Sequence, residues 1–131
     1  MKIYYLDANA VLRYFLSDIA SQFKKVKECL LKAKEGKVEV RLCSEVIMEV
    51  EFVLRKYYGL SRNKVIKQLL GLIKSSYINM DDKGEILEVM DLFRKTKIDF
   101  VDILLFVRAK NEGAEVLSFD KDFKKLQRLA E

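Results

Sequence analysis

The sequence predicts an α/β fold with a central parallel sheet and helices on both faces, organised as a single domain over residues 1–131. Three observations carry this. Short β-leaning runs alternate with longer segments whose apolar residues recur every three or four positions. The composition, 50% apolar and 34% charged, is that of a folded globular chain. No repeat, linker or low-complexity tract interrupts it, and 131 residues suffice for one well-buried core.

Taken in order, residues 2–6 form an apolar run that stops at Asp7 and reads as a buried strand. Residues 8–15 follow as the first turns of a helix. From 18 to 35, Ile19, Phe23, Val26, Leu30 and Ala33 step by three and four, an amphipathic helix with Gly36 suited to its C′ position. Residues 38–42 alternate as a second strand. Ser44 can cap a helix with Val46, Ile47, Val50, Val53, Leu54 and Tyr57 on one face, closed by Gly59. Ser61 opens the next, through Lys74, on a stripe of Val65, Ile66, Leu69, Leu70 and Ile73. A brief third strand is expected at 77–80 and a helix at 82–95, with Ile86, Val89, Met90 and Phe93 inward. Asp99 caps a helix to about Asn111 that ends at Gly113; residues 115–118 read as a fourth strand, and Asp120 starts a last helix.

Composition removes several chemistries. There is no histidine, which excludes Ser-His-Asp triads, Cys-His proteases and His-ligated zinc. Cys29 and Cys43 are too few for a zinc or iron–sulfur centre; they read as small core residues in a reducing cytoplasm. Neither GxGxxG nor GxxxxGK[ST] occurs, so nucleotide loops of those kinds are not expected. No apolar run approaches the roughly 20 residues of a membrane span, and Asp7 interrupts the opening apolar stretch, so no secretory signal is expected. Lys and Arg number 25 against 20 Asp and Glu, a net charge of +5 that favours polyanion partners without requiring one.

The carboxylates stand in costly places. Asp7 and Asp120 each follow a strand and would project at the carboxyl edge of a parallel sheet, where sites form; an N-cap or Asx turn explains each equally well. Asp102 lies in DFVDILLFVRAK, apolar on nearly every side. An unpaired buried carboxylate costs several kcal/mol, so Asp102 must be neutralised, ion-paired or bound to a cation. Glu49 and Glu51 fall on opposite edges of one apolar stripe, and helical phase does not choose between them; Glu45 lies furthest away, on a solvated face. Carboxylates that converge without a basic partner repel until a cation arrives. Oxygen-only ligation selects Mg²⁺ or Mn²⁺, and in hydrolases such ions clamp a phosphodiester and acidify a water.

Three stretches, IYYLDANAVLRYFL, SEVIMEVEFVLRKYYGLSR and IDFVDILLFVRAKNEGAEVLSFDKDF, together resemble the PIN-domain nucleases, and within them the VapC-type toxins. The resemblance implies a three-layer α/β/α fold with a central parallel sheet of four to five short strands, and metal-dependent RNA cleavage leaving 5′-phosphate and 3′-hydroxyl ends. It makes Asp7, Glu49, Asp102 and Asp120 the four acidic residues that hold Mg²⁺ or Mn²⁺, with Asp122 as the alternative fourth. Asn9 stands where the family carries Ser or Thr near the first Asp and could hydrogen-bond the site; Asp99 is either a supporting group for Asp102 or a cap. Partners implied are an RNA substrate, a VapB-like antitoxin whose basic side chain enters the acidic cleft, and a second copy in a homodimer, all in the cytoplasm. Arg13, Arg55, Lys56 and Arg62, with Lys64 and Lys67 nearby, are candidate phosphate contacts; a solvated helix face with Tyr57 and Tyr58 in the core is the competing reading. An RNA-processing PIN nuclease outside a toxin pair and a non-catalytic PIN-like binding module are the functional alternatives.

Overall fold

A computed structural model describes all residues, Met1–Glu131. The order is β1 Lys2–Tyr5, α1 Ala8–Leu16, α2 Ala20–Lys34, β2 Val38–Arg41, α3 Ser44–Lys56, α4 Arg62–Ile73, β3 Ile78–Asn79, α5 Lys83–Lys95, α6 Phe100–Asn111 and α7 Asp122–Ala130. The fold is α/β, as expected, with a parallel sheet ordered β1-β2-β3. Lys2 pairs with Val38 and Tyr5 with Arg41 across β1 and β2, and Val40 pairs with Ile78 across β2 and β3. Each crossover carries a pair of helices, since parallel neighbours need a long connection. The chain divides into two compact units, Met1–Lys83 and Gly84–Glu131.

The first unit holds the sheet and α1–α4. Val40 and Ile78 of the sheet are fully buried, as are Val11 of α1, Ile47, Val50 and Leu54 of α3, and Leu69 and Ile73 of α4. Those of α3 and α4 belong to the stripes whose three- and four-residue steps mark these helices in the sequence, because a helix buries one stripe. The expected close of the long helix is present. Gly36 at φ 77 lets its N–H reach the Ala33 carbonyl at 3.0 Å and the Lys37 N–H reach Lys32 at 2.9 Å.

The second unit is helical throughout. Ile86, Val89, Met90, Phe93, Phe100, Ile103, Val107 and Leu126 are buried, and the rings of Phe93 and Phe100 meet edge to face at 5.5 Å. Gly113, at φ 70, ends α6 with the same hydrogen-bond pattern as Gly36.

Two strand expectations need correction. The sheet has three strands, not four to five: residues 115–118 carry no ladder, and Leu117 and Phe119 are fully exposed. Strand residues become a strand only against a partner edge, and the second unit contains no strand. β1 is also not buried along its length. It has one neighbour, β2, and Ile3, Tyr4 and Tyr5 are exposed while Leu6, just beyond it, is buried.

Candidate metal centre

Asp102 sits in the first turn of α6, a helix held by Phe100, Ile103, Leu104, Phe106 and Val107 in the core. Two of its apolar residues, Val101 and Leu105, are exposed, so the helix is not buried all round. The Asp102 carboxyl is half-buried and accepts no bond from any Lys or Arg, so the interior salt bridge that would neutralise it is absent. Its pKa is raised, first by burial, then by the charges of Asp120, Asp99 and Asp122. Every charge acting on it is another carboxylate. Asp99 occupies the N-cap position with extended backbone, yet its side chain makes no capping bond.

Asp120 and Asp122 reach the same place through a local turn. The Asp120 N–H donates to Ser118 Oγ at 3.0 Å, and Asp120 Oδ1 accepts from the Asp122 N–H at 2.9 Å. This Asx-type turn starts α7 with Asp122 as its first residue. One oxygen each from Asp102, Asp120 and Asp122 lies within 4.8 Å of the other two. At about 4 Å two like charges repel by about 1 kcal/mol in water and about 4 kcal/mol at the effective dielectric of a protein surface. With Asp120 exposed and Asp122 half-buried, the repulsion lies toward the lower figure. The donor set is oxygen-only and carries no compensating cation. The 4.8 Å bound is near the roughly 4 Å between opposite oxygens of an octahedral Mg²⁺. Such a set fits a hard divalent ion. The spacing of two that left Asp120 and Asp122 as alternatives brings both into the cluster.

The first unit holds the other acidic candidates. Asp7 is exposed and caps α1, its Oδ1 accepting from the Ala10 N–H at 2.8 Å. The cap occupies one oxygen and leaves Oδ2 free, so capping and ligation do not exclude each other. Asn9 is exposed in the following turn. On α3 the two neighbouring glutamates differ: Glu51 is 2% exposed and takes the Arg55 guanidinium at 3.1 Å, whereas Glu49 is exposed and unpaired. Glu45 is exposed and accepts from Ser44 Oγ.

The candidate phosphate contacts are mostly engaged. Arg13 donates to Asp18 at 2.8 Å and to the Tyr58 hydroxyl at 3.3 Å, while its Nε is buried without a partner. Arg55 is held by Glu51 and lies over the Phe52 ring. Lys56 is exposed, and Arg62 is half-buried at the start of α4. Tyr57 and Tyr58 are not core residues; both are exposed, just past the end of α3 at Lys56. The sequence reading passed over Lys95, Lys97, Lys125 and Arg128, which line one cavity with Asp122. They come from two stretches, one holding Lys95 and Lys97 and one the three-residue step Asp122, Lys125, Arg128, and nothing in the sequence links the two.

A model of the PIN domain family matches residues 4–129. The VapC ribonuclease of Aquifex aeolicus (strain VF5) is similar to this chain, 28% identical over 119 residues that cover 90% of this chain and 88% of the relative. No solved structure matches significantly.

Proposed function

The chain belongs to the PIN domain family, and from that premise we propose that it is a metal-dependent endoribonuclease, the toxin of a VapBC-type pair. The observation that carries the reading is the cluster of Asp102, Asp120 and Asp122, whose oxygens converge with no basic side chain among them. A core that half-buries a carboxylate beside two others has kept a cost that a bound cation removes. The similarity to a VapC ribonuclease supports the RNA substrate and a VapB-like antitoxin.

Asp102, Asp120 and Asp122 would hold Mg²⁺ or Mn²⁺, and Asp7 and Glu49 are assigned to the same role on the resemblance of their motifs. When bound, such an ion acidifies a water for attack on the phosphodiester and offsets the charge that develops there. The residues' own contribution is placement. The Ser118–Asp120–Asp122 turn fixes two carboxylates relative to each other, and burial of α6 fixes the third. Asp99 adds a further negative charge that acts on Asp102. With no histidine in the chain, no imidazole takes the water's proton. Lys56 is the readiest phosphate contact among Arg13, Arg55, Lys56 and Arg62, since Arg13 and Arg55 would first release Asp18 and Glu51. No helix is long and apolar enough to cross a membrane; work in the cytoplasm, as a homodimer, completes the proposal.

The test is incubation of the purified protein with total RNA in Mn²⁺, Mg²⁺ or chelator, followed by mapping of the cut ends. Discrete cuts with 5′-phosphate ends, lost in chelator and in Asp102→Asn, are expected. Cutting that survives either would overturn the reading.

A further inference from the structure

The second unit contains a cavity of about 470 Å³ between the end of α5, the loop at 96–98 and α7. That is within the roughly 300–1,000 Å³ of small-molecule sites. Four of its lining residues are basic: Lys95, Lys97, Lys125 and Arg128. Lys95 is committed to Asp91 at 2.9 Å, but no carboxylate neutralises Lys97, Lys125 or Arg128. The one acid in the wall is Asp122, which also belongs to the acidic cluster. The floor is apolar, from buried Ile98 and half-exposed Leu129.

Resting on the ribonuclease reading above, we propose that this cavity holds the nucleotide next to the scissile phosphate of a single-stranded RNA, its flanking phosphates on Lys97, Lys125 and Arg128. The shared residue Asp122 makes the basic wall continuous with the acidic cluster, so a strand whose phosphate lies at the acids has its next phosphates at the cations. α7 builds this register directly: Asp122, Lys125 and Leu129 follow at helical spacing along one face, setting the acid, the phosphate contact and the apolar contact in line. Ile98 and Leu129 offer a surface for the sugar and base without a base-edge hydrogen bond, which suits sequence-tolerant contact with an unpaired nucleotide. An acidic peptide would find the same cations but offers no sugar and base for the Ile98 and Leu129 surface.

The test measures binding of a labelled single-stranded RNA of about 12 nucleotides in chelator, across a salt series. Wild type is compared with the triple variant Lys97→Glu, Lys125→Glu, Arg128→Glu, and cleavage by wild type in Mn²⁺ is recorded alongside. The triple variant is expected to bind at least about tenfold more weakly. Its slope of log affinity against log salt should fall by about 2, from three lost phosphate contacts at about 0.7 each. Should circular dichroism show the triple variant unfolded, Lys97→Glu alone, in the loop outside the helices, should lower the slope by about 0.7. If wild type cuts RNA and the folded variants keep its affinity and slope, the cavity assignment fails and the ribonuclease reading stands. If wild type neither binds nor cuts RNA, both fail. Loss of affinity for a polyglutamate peptide with RNA binding untouched would also overturn the assignment, in favour of an acidic protein partner.

Discussion

Glu51 on α3 and Asp102 on α6 both place a carboxylate against the core of their own unit, and they are handled in opposite ways. Glu51, the more buried, is neutralised from its own helix by Arg55 one turn on, at 3.1 Å. Asp102 has no such partner; the groups that act on it are Asp120, Asp99 and Asp122, and with burial they raise its pKa. A carboxylate that serves the fold is given its counter-charge by the fold. One given only further carboxylates keeps a repulsion that a cation from outside would offset.

Neutral isosteres at the two positions sharpen that contrast most. Asp102→Asn should reduce Mn²⁺-dependent RNA cleavage by about a hundredfold or more, on the scale of removing one electrostatic group from an active site, while circular dichroism stays native. Asp120→Asn and Asp122→Asn, assayed the same way, should each cost less than Asp102→Asn, since the two neighbours can partly substitute for each other. A loss at Asp122 equal to that at Asp102 would make Asp122 the principal fourth acid. Glu51→Gln should do the reverse: it leaves Arg55 with a neutral partner and lowers unfolding free energy by about 1–2 kcal/mol, discounted for the half-exposed guanidinium, with cleavage retained. Abolished cleavage in Glu51→Gln, measured above its folding threshold, would break the contrast.

The smallest effect is in pH. The folded-state pKa of Asp102 is raised, so the native carboxyl binds its proton more tightly than the unfolded chain does. Its ionised form therefore costs stability above the ordinary carboxylate range, and the cost disappears as pH falls through the raised pKa. In chelator, Asp102→Asn should melt above wild type near neutral pH, and the gap should close as pH falls through the raised pKa. A gap that widens on acidification would contradict the sign.

Much of the fold was legible because helices advertise themselves locally. The stripe Val65, Ile66, Leu69, Leu70 and Ile73 marks α4; all but the half-buried Leu70 lie on its buried face, which Leu72 completes. The failures are non-local. Residues 115–118 have strand composition, yet whether they join a ladder depends on an edge elsewhere; β1, read as buried, has exposed side chains, because cover for a strand's faces must come from other elements. In the site, Asp102 stood out because a charge on an apolar helix is expensive wherever it lies. Glu49 and Glu51 could not be separated by phase, since both edge the same stripe; an arginine four residues on, in reach of Glu51, distinguishes them. The basic cavity gave no pattern, because Lys95 and Lys97 meet Lys125 and Arg128 only through the packing of the second unit.

The central claim, that the Asp102 cluster binds a divalent ion, is tested most directly by thermal melting of wild type and Asp102→Asn across a Mn²⁺ titration. Wild type should gain stability continuously with ion concentration, reaching about 2.7 kcal/mol at a hundredfold excess over the dissociation constant, and Asp102→Asn should gain little. A wild-type melting temperature indifferent to Mn²⁺, or an equal gain in Asp102→Asn, would contradict it.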